Sequence, residues 1–206
     1  GLLSDPRMPA GMPLDYYFGR TVFTWFVLVF AGAFLTMRLF AEELRSGTIE
    51  TLMTAPVTEA QVVLGKFLAA FLFYACLWAS TLAHVLLLRA FSPIDWGPIA
   101  SSYVGMLSIG AFFLSIGTFA SALSRNQIVA AIFTFVVLTI LLSAGFLGDL
   151  VQGETARRVI DYLSLPEHMD DFAKGVVDTR RLVYYLSGTA LFLFLTARAV
   201  AVRKWR

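Results

Sequence analysis

The chain has 206 residues, of which 58% are hydrophobic and 15% charged, with a net charge of +2 and a mean hydropathy of +0.76. Soluble domains are about 45–50% apolar and about 25% charged. The excess is too large for one buried core. It excludes a disordered chain, a nucleic-acid-binding domain and an ordinary cytosolic enzyme, and it predicts an all-α integral membrane protein, a polytopic helical bundle.

Residues 1–20 carry Asp5, Pro6, Arg7, Pro9, Pro13 and Asp15, so they are no signal peptide. The chain begins at Gly1, and this stretch reads as a loop whose preceding segment is missing. The first uncharged run, Thr21–Met37, has 17 residues, and a span over about 21–40 requires Arg20 and Arg38 to snorkel.

Residues 41–65 follow, AEELRSGTIETLMTAPVTEAQVVLG. The first helix is expected to run on past the membrane through Glu42, Glu43 and Arg45, with Gly47 as its C-terminal stop. Thr48 is positioned to cap a short helix, with Glu50 in its first turn where the dipole favours negative charge. Ile49, Leu52 and Met53 fall at i, i+3 and i+4 on one apolar face. Pro56 pushes Ala55 away from helix and ends it. Thr58 and Gln61 form a capping box that opens the next helix. The short amphipathic helix has two readings: it rests on lipid headgroups, or its apolar face enters a groove on a soluble partner.

The second run, Phe67–Leu88, has 22 residues and predicts a span over 66–88. It holds Cys76, the only cysteine, read as a packing residue, and His84, read as a neutral imidazole bonded to a helix neighbour such as Ser80. The third run, Trp96–Ser124, has 29 residues, with a span over 99–123. Its pairs Ser101 and Gly105, Ala111 and Ser115, and Gly117 and Ser121 are small residues four apart, as at close helix contacts. They serve either packing within the chain or an interface with a second one. The fourth run, Asn126–Gly148, has 23 residues, with a span over 127–147.

Residues 149–181 carry seven acidic and five basic residues and do not span. Ser164 and Glu167 form a capping box with Pro166 in the first turn. Met169, Phe172, Val176 and Val177 recur at helical spacing, with Gly175 as a break. This predicts a surface helix, either plain packing or a cap over a vestibule. His168, beside Asp170 and Asp171, reads as part of a solvated helix face in preference to a metal ligand. The last run, Leu182–Ala197, has 16 residues; a span over 183–202 requires Arg198 to snorkel.

None of these runs alternates polar and apolar residues as barrel strands do, so helices satisfy the backbone in lipid. Five spans put the termini on opposite sides. Lys and Arg then number eight on each side, so charge counting alone does not orient the chain. Trp96 and Trp205 fall at predicted interfaces. No P-loop is present: Gly65-Lys66 is followed by Phe67, and Ala60 stands where the pattern needs glycine. No catalytic, cofactor-binding or metal-ligating residue is assigned.

The stretch EELRSGTIETLMTAPVTEAQVVLGKF resembles the permease subunits of type-2 ATP-binding-cassette (ABC) exporters. The closer likeness is to the branch associated with gliding motility and copper-enzyme (nitrous-oxide reductase) maturation. Glu42, Glu43, Arg45, Ser46, Gly47, Thr48, Ile49, Glu50, Leu52, Thr54, Pro56, Val57, Gly65, Lys66 and Phe67 match that pattern. Leu163, Ser164, His168, Phe172, Gly175, Val176, Asp178 and Tyr184 are similar too, so the likeness covers nearly the whole chain. The resemblance implies a six-helix permease half lacking its first helix here, in a bacterial inner membrane. It implies that residues 41–65 are cytoplasmic and 149–181 outside. It further implies that Glu42, Glu43, Arg45, Gly47, Thr48, Ile49, Glu50, Leu52, Met53, Thr54 and Pro56 form a coupling segment that docks on a separate ATPase subunit. ATP and Mg would sit on that subunit, and none on this chain. A second permease half, identical or not, would complete the pathway. The alternative is a membrane anchor or scaffold of a motility or metalloenzyme-maturation complex.

Overall fold

The computed structural model describes residues 22–48, 58–91, 95–147 and 163–204. They form eight helices and no strand: α1 Val22–Thr36, α2 Ala41–Ser46, α3 Glu59–Ser80, α4 Leu82–Phe91, α5 Trp96–Leu123, α6 Gln127–Leu147, α7 Leu165–Ala173 and α8 Thr179–Lys204. Helix thus occupies all five uncharged runs. Among the described residues, four helical stretches are long and apolar enough to cross a membrane: Phe23–Ser46, Glu59–Phe91, Trp96–Leu123 and Thr179–Val202. Gln127–Ser143 of α6 is a shorter apolar stretch.

Local sequence sets the helix ends. Thr58 and Gln61 make the expected reciprocal box at the start of α3, with N–H···O distances of 2.9 and 3.3 Å. Asp95 caps α5 by accepting from the Gly97 amide at 3.1 Å, and Asn126 Oδ1 accepts from Ile128 N at 2.9 Å at the start of α6. α3 and α4 meet at Thr81, whose hydroxyl lies 2.6 Å from the Tyr103 hydroxyl of α5 and donates to Trp78 O.

The central element is α5, most of which is buried, with the other helices packed around it. Its small residues explain this. A Cβ on Gly105 would lie 2.7 Å from the Phe172 ring, one on Gly110 2.1 Å from Tyr74, and one on Gly117 2.0 Å from Thr36 Oγ1. Real Cβ atoms do not approach neighbours this closely, so glycine is what lets each ring or hydroxyl seat against the α5 backbone. Tyr74 completes its seat by donating to Met106 O at 2.9 Å. The small pairs therefore serve packing within the chain. The larger core joins Trp25, Leu28, Phe67, Tyr74, Trp78, Phe113 and Leu138 to Met169, Phe172 and Tyr185.

The outside is apolar. On α1, Phe26, Phe30 and Phe34 are exposed at four-residue spacing, and on α3 so are Leu64, Leu68 and Leu72. This is the pattern of a lipid-facing wall, since lipid gives an apolar side chain no reason to turn inward. It also corrects the reading of Cys76, which is exposed on the outer face of α3 rather than packed. The His84 expectation fails for the same reason. His84 is exposed, and the Ser80 hydroxyl donates instead to Leu77 O of its own helix at 2.6 Å.

At the end of the bundle where α5 begins, α7 lies against α5 and α6. Ser164 accepts from the Glu167 amide at 3.5 Å, with Pro166 in the first turn as expected. The helix stops at Ala173 and Gly175 turns with φ 85°, so Val176 and Val177 lie beyond it and are exposed, contrary to the helical spacing read from sequence. His168 is likewise not on a solvated face. It is 3% exposed, its Nδ1 lies 2.8 Å from the Tyr185 hydroxyl, and Tyr184 and Tyr185 meet its ring edge-on. Asp171 pairs with Arg181, a second tie between α7 and the start of α8.

Candidate functional site

The site singled out by sequence begins where α1 leaves the bundle. The helix tightens after Thr36: Leu39 N donates to Thr36 O at 3.1 Å, an i→i−3 bond, and residues 37–40 form a turn before α2. The expected extension through Glu42, Glu43 and Arg45 is helical, but the turn at residues 37–40 divides it from α1 as a separate six-residue helix.

That short helix lacks a cap of its own. Phe40 holds the N-cap position and has no side-chain oxygen. The four leading N–H groups of a helix need partners from elsewhere. Ser121 of α5 supplies one: its hydroxyl accepts from Phe40 N at 3.0 Å and Ala41 N at 3.1 Å, and donates to Met37 O at 3.1 Å. Two acceptances and one donation use the full capacity of a hydroxyl. Phe40, Ala41 and Ser121 are all 0% exposed. One turn earlier on α5, Gly117 leaves the room that Thr36 fills. The Gly117–Ser121 pair thus first admits α1 and then holds the chain that leaves it.

Two polar ties surround this junction. Lys66 of α3 pairs with Glu43 at 2.5 Å, both side chains about a quarter exposed at 22% and 28%, and its ammonium lies 5.2 Å from the centre of the Phe40 ring. Gln127, the first residue of α6, accepts from Arg38 Nε at 3.0 Å and donates to Glu42 Oε2. Beneath them, Phe40, Val63, Ala122 and Val200 form a small second core. The segment is thereby fixed to α3, α5, α6 and α8.

Glu42 and Glu43, which the resemblance places in the docking segment, both make contacts within the chain, Glu42 from an exposed position. Arg45 is exposed. Gly47 adopts the expected left-handed conformation, φ 76°, and no described residue lies within 4 Å of where a Cβ would stand, so it stops α2 as glycine does best. Thr48, expected as a cap outside the next helix, is itself helical, and its hydroxyl meets Ser46 Oγ at 2.9 Å. Ile49, Glu50, Leu52, Met53, Thr54 and Pro56 lie outside the described residues. Among the described residues, no group of three His, Cys, Asp or Glu side chains could hold a metal ion.

Sequence reading passed over Ser121 and Gln127 as partners of this segment. Their bonds span 81 and 85 positions, and no local pattern marks them.

Apolar helices of membrane-spanning length, a glycine-keyed central helix and an outward apolar wall define a multi-pass helical membrane protein. Residues 8–141, 134 of the 206, match the family described as ABC-2 family transporter protein. The chain belongs to that family, and it is an ABC-type transmembrane permease. The matched stretch runs from before α1 through most of α6 and includes the whole junction at residues 37–66. No curated protein and no solved structure matches the chain.

Proposed function

We propose that this chain couples ATP hydrolysis on a separate ATPase subunit to export across a bacterial inner membrane, as one of two permease halves. Residues 41–65 are cytoplasmic in this reading, and residues 149–181 lie outside. Ile49, Leu52 and Met53 form the apolar face that enters the ATPase, while Gly47 and Pro56 bound the docking helix. ATP and Mg belong to the partner. The closer kinship to the gliding-motility and copper-enzyme branch is part of the same reading.

The observation that carries it is the junction inside the family match. A segment with an apolar i, i+3, i+4 face follows directly from a corner tied to four helices. A docked partner that moves with nucleotide therefore pulls on the bundle and not on a slack loop, and nucleotide binding biases the membrane helices between alternative states.

Copurification tests it. Burying each of these apolar side chains contributes up to about 1.5–3 kcal/mol, and an aspartate there leaves a charge in the groove. Ile49→Asp and Leu52→Asp should each release the ATPase while the permease stays in the membrane. Retention of the ATPase by both variants would overturn the docking assignment. A chain that assembles with no ATPase would instead favour an anchor or scaffold.

A further inference from the structure

Most hydroxyls buried in this bundle bond only within their own helix. Ser115 donates to Phe112 O at 2.7 Å, Thr118 to Leu114 O at 2.7 Å, Thr134 to Ala130 O at 2.8 Å and Thr196 to Phe192 O at 2.7 Å. Such bonds satisfy the hydroxyl and join nothing to anything else. Ser121 is different. All three of its bonds cross to another element, and all three reach the backbone of residues 37–41.

The position of those bonds matters as much as their number. Phe40 and Ala41 start α2, whose capping oxygen among the described residues comes from α5. With neither amide exposed, water offers no substitute. The other two ties to this segment end on side chains, Lys66 and Gln127, which can re-orient about several bonds. The Ser121 hydroxyl sits two bonds from the α5 main chain and grips main chain. It joins the main chain of residues 37–41 directly to the central helix, whereas the Lys66 and Gln127 ties run to α3 and α6.

We propose that Ser121 is a positioning residue for coupling, a cap supplied in trans that passes displacement of α2 to α5 and so to the far end of the bundle. The inference rests on the proposed ATPase coupling and names the group through which it is transmitted. Without the hydroxyl, α2 keeps its place on Phe40 and Val63 packing but slides against α5 when pulled.

The test uses the full chain in lipid with the ATPase that copurifies with it, in a Cys76→Ser background. An environment-sensitive fluorophore is attached at Val176→Cys, an exposed position beside Gly175, which touches Pro98 at the start of α5. With Ser121 intact, ATP plus vanadate should change the fluorescence. Ser121→Ala should retain the ATPase in full, yet abolish most of that change. Ser115→Ala removes an equally buried hydroxyl from the same helix and should leave the response intact. Should Ser121→Ala fail to fold, Ser121→Cys keeps the size with a weaker acceptor and should give a partial reduction. An undiminished response in Ser121→Ala or Ser121→Cys, with ATPase bound, overturns this inference alone, as does an unsubstituted complex whose fluorophore never responds. If the unsubstituted chain binds no ATPase, the coupling reading falls and takes the inference with it.

Discussion

Replacing Lys66 by methionine isolates the ion pair at the junction. Methionine keeps an apolar stem of similar length and removes the ammonium, which lies over the Phe40 ring. What it leaves is Glu43, whose Oε1 has lost its partner and whose Oε2 is buried with no hydrogen-bond partner among the described residues. Exposed pairs contribute about 0–1 kcal/mol, whereas stripping one partner from a fully buried pair costs about 3–5. With both side chains about a quarter exposed, the cost of Lys66→Met should fall near 2 kcal/mol. Glu43→Gln should cost less, since a neutral amide tolerates burial better than an unpaired carboxylate. The double variant, with no charge left to strand, should recover about 1 kcal/mol or more relative to the sum of the singles. Unfolding by SDS titration in mixed micelles, followed through the buried Trp25 and Trp78, gives all four free energies. Strict additivity within about 0.5 kcal/mol would refute the claim that these two side chains act as a pair.

Three further outcomes are expected. Gly110→Ala places a methyl 2.1 Å from the Tyr74 ring and should destabilise by about 3 kcal/mol in the same titration, with Tyr74→Leu relieving part of the loss; a silent Gly110→Ala would contradict the packing described. His168→Phe should cost about 1–2 kcal/mol by orphaning the buried Tyr185 hydroxyl, and Tyr185→Phe in that background should restore most of it; no recovery would mean the bond contributes nothing. In a Cys76→Ser background, a membrane-impermeant thiol reagent should label Val176→Cys from outside intact cells and Thr48→Cys only after lysis. The reverse pattern would invert the orientation on which the coupling reading depends.

Much of the fold was legible in the residues, because lipid leaves the backbone few options. The uncharged runs became helices, the Thr58–Gln61 box closed as spaced, and Gly47 took the left-handed turn expected of it. These are local effects, settled by residues within one turn of each other. What escaped was decided at long range. Ser115 and Ser121 look alike in an apolar run, yet one bonds its own helix and the other holds a distant corner. Cys76 and His168 failed in opposite directions for a related reason. An apolar neighbourhood in lipid faces outward as readily as inward, so the Cys76 run gave no sign of its exposure. A polar neighbourhood of Asp170 and Asp171 hid the fact that the intervening face of α7 turns His168 into aromatic packing. Of the candidate site, the helical stretch through Arg45 and its Gly47 stop were readable, whereas the turn at residues 37–40 and the engagement of Glu42 with Gln127 and Glu43 with Lys66 were not.

The seats on α5 bear on how the bundle can move. Gly105, Gly110 and Gly117 receive Phe172, Tyr74 and Thr36 from three different helices, α7, α3 and α1. They are spread over twelve residues, about 18 Å along the axis at the rise of an α-helix. Each acts like a tooth in a slot: Gly110 and Gly117, seven residues apart, open on nearly one side of the shaft, and Gly105 opens about 140° away from Gly110. A shaft held so cannot spin about its own axis without lifting every tooth at once. It can tilt or travel if its neighbours go with it. Whatever displaces one end of α5 therefore carries α7 and its His168–Tyr185 contact along at the other, and the two faces of the membrane are geared to a single solid part.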